Sequence, residues 1–175
     1  MKIALYGGSF NPFHIGHENI INHLEKEFDL VYVTPVDNYQ KDQIFLSLKD
    51  RLSSLKAIYK DNKKVKILDN NLKDKEFTYS YRFIEFIKEK HPNSTISLVI
   101  GSDYKDINNW KNADYIKKNS KIYRVSRNGG EGLDIGCLGI SSTQIREDLN
   151  TNKKYLRKEI IDIITRTLKA SSRNK

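Results

Sequence analysis

Cysteine, methionine and tryptophan each occur once in this 175-residue chain, and proline three times. A lone Cys137 cannot form an intrachain disulfide, so nothing points to an oxidising compartment, and a cytoplasmic setting is expected. No apolar stretch approaches the roughly 18 residues a membrane span requires. The N-terminus offers one lysine and a four-residue apolar run, too short for a signal peptide. Metal-ligating side chains are scarce as well. Structural zinc wants four Cys/His ligands and catalytic zinc usually three. Only His14 and His17 lie close together, while His23 and His91 have no sequence partner and are expected on the surface. No protein-held metal is expected.

Basic charge is in excess, with a net charge of +9. The excess is uneven. Eight basic and two acidic residues follow from Lys153 onward, which leaves only +3 for the first 152 residues. A basic terminal segment is more often a solvated surface than a nucleic-acid reader, so the balance argues against a nucleic-acid partner. There is no internal repeat and no long linker. One domain over residues 1–170 is expected, with 171–175 as a disordered basic tail.

Short apolar runs bounded by turn residues mark five strands: Ile3–Tyr6, Leu30–Thr34, Val65–Leu68, Ile96–Ile100 and Lys121–Ser126. Helical stripes fall between and after them: Ile20, Ile21, Leu24 and Phe28; Leu48, Leu52, Leu55 and Tyr59; Tyr79, Phe83, Ile84 and Ile87; Leu156, Ile160, Ile163, Ile164 and Leu168. Ser47 followed by Asp50 looks like a helix start. Alternating strands and helices predict an α/β fold: a Rossmann-like, doubly wound, mainly parallel sheet of about five strands flanked by helices. Ligands in such sheets collect at the carboxyl ends of strands, near a switch in strand order.

Two segments carry chemistry. The first is Gly7-Gly8-Ser9-Phe10-Asn11-Pro12-Phe13-His14-Ile15-Gly16-His17, directly after the first strand. Glycines allow a sharp turn and close approach of backbone to a ligand. Histidines at i and i+3 share a face as a helix begins, where free N–H groups favour anions. The second is Ile140-Ser141-Ser142-Thr143-Gln144-Ile145-Arg146. Ser141 with Gln144 reads as a capping box, and the hydroxyls and guanidinium nearby suit phosphate oxygens.

The first segment resembles the H-x-G-H signature of the nucleotidyltransferase superfamily, in wording most like the nicotinate/nicotinamide-nucleotide adenylyltransferases. The second is similar to that family's I-S-S-T-x-I-R signature. Gly101-Ser102-Asp103 followed by Trp110 resembles its G-x-D…W segment, and Thr78-Tyr79-Ser80 lies where relatives carry S-Y-T. The resemblance runs from Met1 to beyond Asn150. It implies that ATP reacts with a pyridine mononucleotide, giving a dinucleotide and pyrophosphate, with Mg²⁺ bridging phosphate oxygens. His14, His17 and Arg146 would be the catalytic groups. Gly7, Gly8, Ser9, Phe10, Gly101, Asp103, Ser141, Ser142 and Thr143 would bind ATP with them. Ser9, Phe10, Asn11, Lys41, Thr78, Tyr79 and Trp110 would bind the mononucleotide, with Trp110 stacked on the pyridine ring.

Some points stay open. Relatives often carry Pro-Pro-His-Lys after the second strand, where this chain has Pro35-Val36-Asp37-Asn38-Tyr39-Gln40-Lys41. Lys41 is thus either a phosphate ligand or a solvated lysine, and the choice between nicotinate and nicotinamide forms is undecided. Tyr79 and Trp110 could each be core residues. A sister transferase acting on phosphopantetheine, or a cytidylyltransferase, is the nearest rival. A nucleic-acid-binding or regulatory protein using the basic tail is a rival of another class. A homo-oligomer is also left open.

Overall fold

A computed structural model describes residues 1–36, 45–101, 106–126, 132–134 and 139–173. Strand β1 (Lys2–Gly8) leads through helix α1 (Ile15–Glu27) to β2 (Leu30–Pro35). Helix α2 (Leu48–Ile58), β3 (Val65–Ile67), α3 (Ser80–Lys90) and β4 (Thr95–Gly101) follow. The chain continues with α4 (Ala113–Asn119), β5 (Lys121–Ser126), β6 (Leu133–Asp134), α5 (Ser142–Glu147), α6 (Leu149–Asn152) and α7 (Lys158–Arg173). The last helix thus runs past residue 170. Ser47 caps α2 by accepting the Asp50 N–H, as its sequence position predicts.

The sheet has six strands in the order β3-β2-β1-β4-β5-β6, and every pairing is parallel. The count corrects the expectation of about five. The extra strand is a two-residue edge, Leu133–Asp134, paired with Val125 and Ser126, and two residues are too few to show a period in sequence. Strand order reverses between β1 and β4, so their carboxyl ends, Gly7-Gly8 and Gly101, flank a crevice.

Alternation along the buried strands divides the core into two layers. Ala4, Tyr6, Val31, Val33, Val99 and Val125 face α1, α2, α5 and α7. Ile3, Leu5, Tyr32, Ile96, Leu98 and Ile100 face α3 and α4. The start of α7 is tied to α1 by a two-pronged ion pair: Arg157 donates to both carboxylate oxygens of the buried Glu18, with Nε at 2.9 Å from Oε2.

Three side-chain expectations are corrected. His23 and His91 are half-buried rather than free on the surface. His23 Nε2 lies 2.8 Å from the Tyr123 hydroxyl, and His91 Nε2 lies 2.9 Å from that of Tyr32. Burial raises both phenols above their ordinary pKa, so they stay protonated partners for the imidazoles. Leu168 closes the last helical stripe in sequence, yet it is 49% exposed because the core ends near Ile164. Tyr79 is likewise exposed, at the cap of α3 rather than in its core stripe.

Leu24→Ala, at a fully buried site, should cost about 2–5 kcal/mol in urea unfolding. Leu168→Ala should stay within about 0.5 kcal/mol, as surface changes do. Equal losses would mean that the end of α7 packs as firmly as its middle.

Candidate active site

The turn after β1 is the centre of the site. Gly8 here and Gly16 at the start of α1 answer to close packing. A Cβ on Gly8 would lie 2.8 Å from the Phe10 ring, which is itself buried among Tyr6, Phe13 and His17. Phe10 turns the chain at φ 46°, a left-handed conformation that is uncommon for a bulky residue. A Cβ on Gly16 would come within 3.0 Å of the His14 imidazole. Only glycine lets that ring lie against the start of α1.

The two histidines meet as their spacing predicts, with ring centroids 3.8 Å apart. They also cap the helix. His14 Nδ1 accepts the Gly16 N–H at 3.1 Å, and His17 Nδ1 accepts the His14 N–H at 3.3 Å. A neutral imidazole whose Nδ1 accepts must carry its proton on Nε2. Capping therefore sets both rings as Nε2–H donors. Both are buried, at 2% and 5% exposure.

Helix α5 docks on the same turn. Its capping box forms as predicted: Ser141 Oγ accepts the Gln144 N–H, and the Gln144 side chain accepts the Ser141 N–H at 2.8 Å. Ser142 Oγ donates to the Pro12 carbonyl at 2.9 Å. Arg146 donates to the Asn11 carbonyl at 2.7 Å and to Thr143 Oγ1 at 3.2 Å. The two sequence motifs, remote in the chain, thus form one structural unit.

On the other layer a cavity of about 440 Å³ opens at the carboxyl ends of β1, β2 and β4. Gly7, Gly8, Ser9 and Gly101 line it, together with Thr78, Tyr79 and Trp110. Trp110 is half-buried and packs against the α3–α4 layer of the core while facing the cavity, so it is both a core contact and a wall. Phe10, Asn11, His14, His17 and the α5 residues are not part of this wall. Phe10 sits in the core, and the Asn11 side chain accepts the Leu46 N–H at 2.8 Å. Lys41 and Asp103 lie outside the described residues, as do Cys137 and the glycines of the loop after β5 other than Gly132 and Gly139.

One site residue gives no sequence signal. Arg51 of α2 is 3% exposed. Its guanidinium donates to the carbonyls of Ser9 (2.8 Å), Leu46 (3.1 Å) and Val36 (3.3 Å). It ties the glycine turn to both edges of the segment that carries Lys41. In sequence it stands among Asp, Lys and Ser and reads as a surface helix arginine. Among the described residues no group of three or more His, Cys, Asp or Glu side chains could share a metal ion, and no helix is long and apolar enough to cross a membrane.

A glycine turn at the switch point of a parallel sheet, a pair of capping histidines and an arginine helix docked beside them define a nucleotidyltransferase site. The cytidylyltransferase-like family model matches residues 5–148. A protein of Flavobacterium johnsoniae named "Probable nicotinate-nucleotide adenylyltransferase" is 33% identical over 171 residues, covering 87% of this chain and 89% of its own. One of the same name from Aliarcobacter butzleri is 31% identical, covering 91% and 93%. A crystal structure of a candidate nicotinate-nucleotide adenylyltransferase from Vibrio parahaemolyticus superimposes with a TM-score of 0.72 at 26% identity, covering 94% of this chain and 98% of that one. The chain belongs to the cytidylyltransferase-like nucleotidyltransferases, and within them to the family of the nicotinate-nucleotide adenylyltransferases.

Arg51→Leu removes one donor from three carbonyls at once and should cost about 3 kcal/mol or more in urea unfolding. A loss below about 0.5 kcal/mol would show that the turn holds without it.

Proposed function

We propose that this enzyme transfers the adenylyl group of ATP to a pyridine mononucleotide, nicotinate mononucleotide first of all, in NAD synthesis. The observation that carries the reading is the two-sided turn. One side is a cavity walled by Trp110 and Tyr79, and the other holds two histidines and an arginine with hydrogen-bond donors. The names of the curated relatives agree with it.

The attacking group is the mononucleotide 5′-phosphate. One of its oxygens forms a bond to the α-phosphorus of ATP as the bond to the bridging oxygen of the β-phosphate breaks. Pyrophosphate leaves with the electron pair. The nucleophile is already anionic at neutral pH, so no general base or protein nucleophile is required. Catalysis is positioning and charge stabilisation.

In this reading His14 and His17 donate from Nε2 to the α-phosphate as negative charge develops. Ser141, Ser142, Thr143 and Arg146 hold the β- and γ-phosphates. Gly7, Gly8, Ser9 and Phe10 supply the backbone between the two nucleotides, and Gly101 with Asp103 borders the adenosine half. Trp110 stacks on the pyridine ring, with Thr78 and Tyr79 beside it, while Asn11 and Lys41 serve the mononucleotide. Mg²⁺ would enter with ATP, held at the phosphates that Ser142, Thr143 and Arg146 bind, and would need few protein ligands. When bound with ATP, the ion neutralises phosphate charge.

His17→Ala should lower kcat by roughly 100-fold or more while the protein stays folded; near-normal turnover would remove the histidines from the chemistry. Trp110→Ala should raise KM for the mononucleotide and leave KM for ATP unchanged. An equal rise for both substrates would reduce Trp110 to a folding role.

A further inference from the structure

The β1–β2 ladder ends at the rim of the cavity. The strands pair as far as Gly8 and Pro35, and the Val36 N–H donates to the Gly8 carbonyl at 2.9 Å. The next residue on each strand, Ser9 and Val36, belongs to the cavity wall. Their carbonyls lie past the last backbone rung, and a carbonyl shielded from water needs a donor. One nitrogen serves both. Arg51 Nη1 donates to Ser9 at 2.8 Å and to Val36 at 3.3 Å, while its Nε donates to the Leu46 carbonyl at 3.1 Å, just before α2. The guanidinium thus adds a side-chain rung where the backbone pairing stops. Asn71 secures the same end of β2, with its Nδ2 donating to the Pro35 carbonyl at 2.5 Å. Arg51 is buried and is not itself part of the wall, so it stands behind the two residues that it holds.

We propose that Arg51 is a positioning residue for adenylyl transfer: by bridging the Ser9 and Val36 carbonyls it fixes the spacing of the β1 and β2 ends where the cavity opens, and so the seat of the mononucleotide. The proposal deepens the pyridine-mononucleotide reading above and rests on it. A guanidinium suits the task because it is planar, always charged and rigid in the directions of its donors. The two carbonyls cannot drift apart without losing a charge-assisted bond. Small displacements of a bound reactant cost rate steeply, so the spacing of the wall carries through to the chemistry. His14, His17, Ser142, Thr143 and Arg146, which the same reading gives to the ATP phosphates, lie outside this wall. ATP binding therefore depends less on the bridge.

The test is steady-state turnover of nicotinate mononucleotide with ATP and Mg²⁺ by the wild-type chain, Arg51→Gln and Arg51→Lys, each well below its own Tm. In Arg51→Gln, KM for the mononucleotide should rise roughly tenfold or more, with KM for ATP within about twofold of wild type. Arg51→Lys keeps one charged nitrogen for the two carbonyls and should recover part of that rise. A role in stability alone lowers the amount of active enzyme and leaves both KM values where they were. Wild-type KM values in either folded variant would therefore overturn the proposal, and so would an equal rise in both. The unaltered chain supplies a second readout that does not depend on a variant folding: exchange of the Arg51 guanidinium N–H groups with solvent, followed by NMR. Coupling between two events is reciprocal, so nicotinate mononucleotide should slow this exchange by roughly threefold or more, and ATP alone should not. Exchange that the mononucleotide leaves unchanged would overturn the proposal while leaving the adenylyl-transfer reading intact. Absence of wild-type turnover would instead remove that reading, and the proposal with it.

Discussion

The site depends on how the chain is held between Gly8 and His14. This turn leaves the sheet at the switch point, and its carbonyls face inward where water cannot reach them freely. Buried carbonyls without donors are costly. Here two guanidiniums and a hydroxyl reach in from two helices. Arg51 donates to Ser9, Arg146 to Asn11 and Ser142 to Pro12. The Phe10 ring adds an apolar anchor beneath. Because the donors come from α2 and α5, the docking of both helices supports the shape of the turn.

That single turn has two faces with different chemistry. Toward α1 and α5 it presents imidazoles whose Nδ1 atoms cap a helix, which settles where their protons sit. Toward α3 and α4 it borders a cavity with aromatic and aliphatic walls. A displacement at phosphorus with an anionic nucleophile needs both. On the proposed function, one face would neutralise charge and the other would align the incoming group. Nothing in this scheme requires a covalent intermediate, and the capping bonds at Nδ1 hold both imidazoles in place at the start of α1.

What the sequence reveals follows from how local each signal is. Strand alternation, the Ser141–Gln144 cap and the His14–His17 pair each involve residues within one turn or one strand, so all are visible in the chain and all appear in the fold. Arg51 escaped because its meaning lies in carbonyls from three separate segments. His23 and His91 escaped for the same reason, since their tyrosine partners are 100 and 59 residues away. Leu168 continued a helical stripe beyond the point where the sheet ends, and periodicity alone cannot show where a core stops. Tyr79 looked like the first member of a core stripe, but a helix cap points outward. The β6 edge was simply too short to be seen.

On the proposed function, the two faces of the turn join a nucleoside triphosphate to a pyridine mononucleotide. The direct measurement is pyrophosphate release from ATP and Mg²⁺ with nicotinate mononucleotide, nicotinamide mononucleotide or phosphopantetheine as the acceptor in separate reactions. Release with a pyridine mononucleotide, and none with phosphopantetheine, is the predicted result. Release only with phosphopantetheine, or with no acceptor at all, would contradict it.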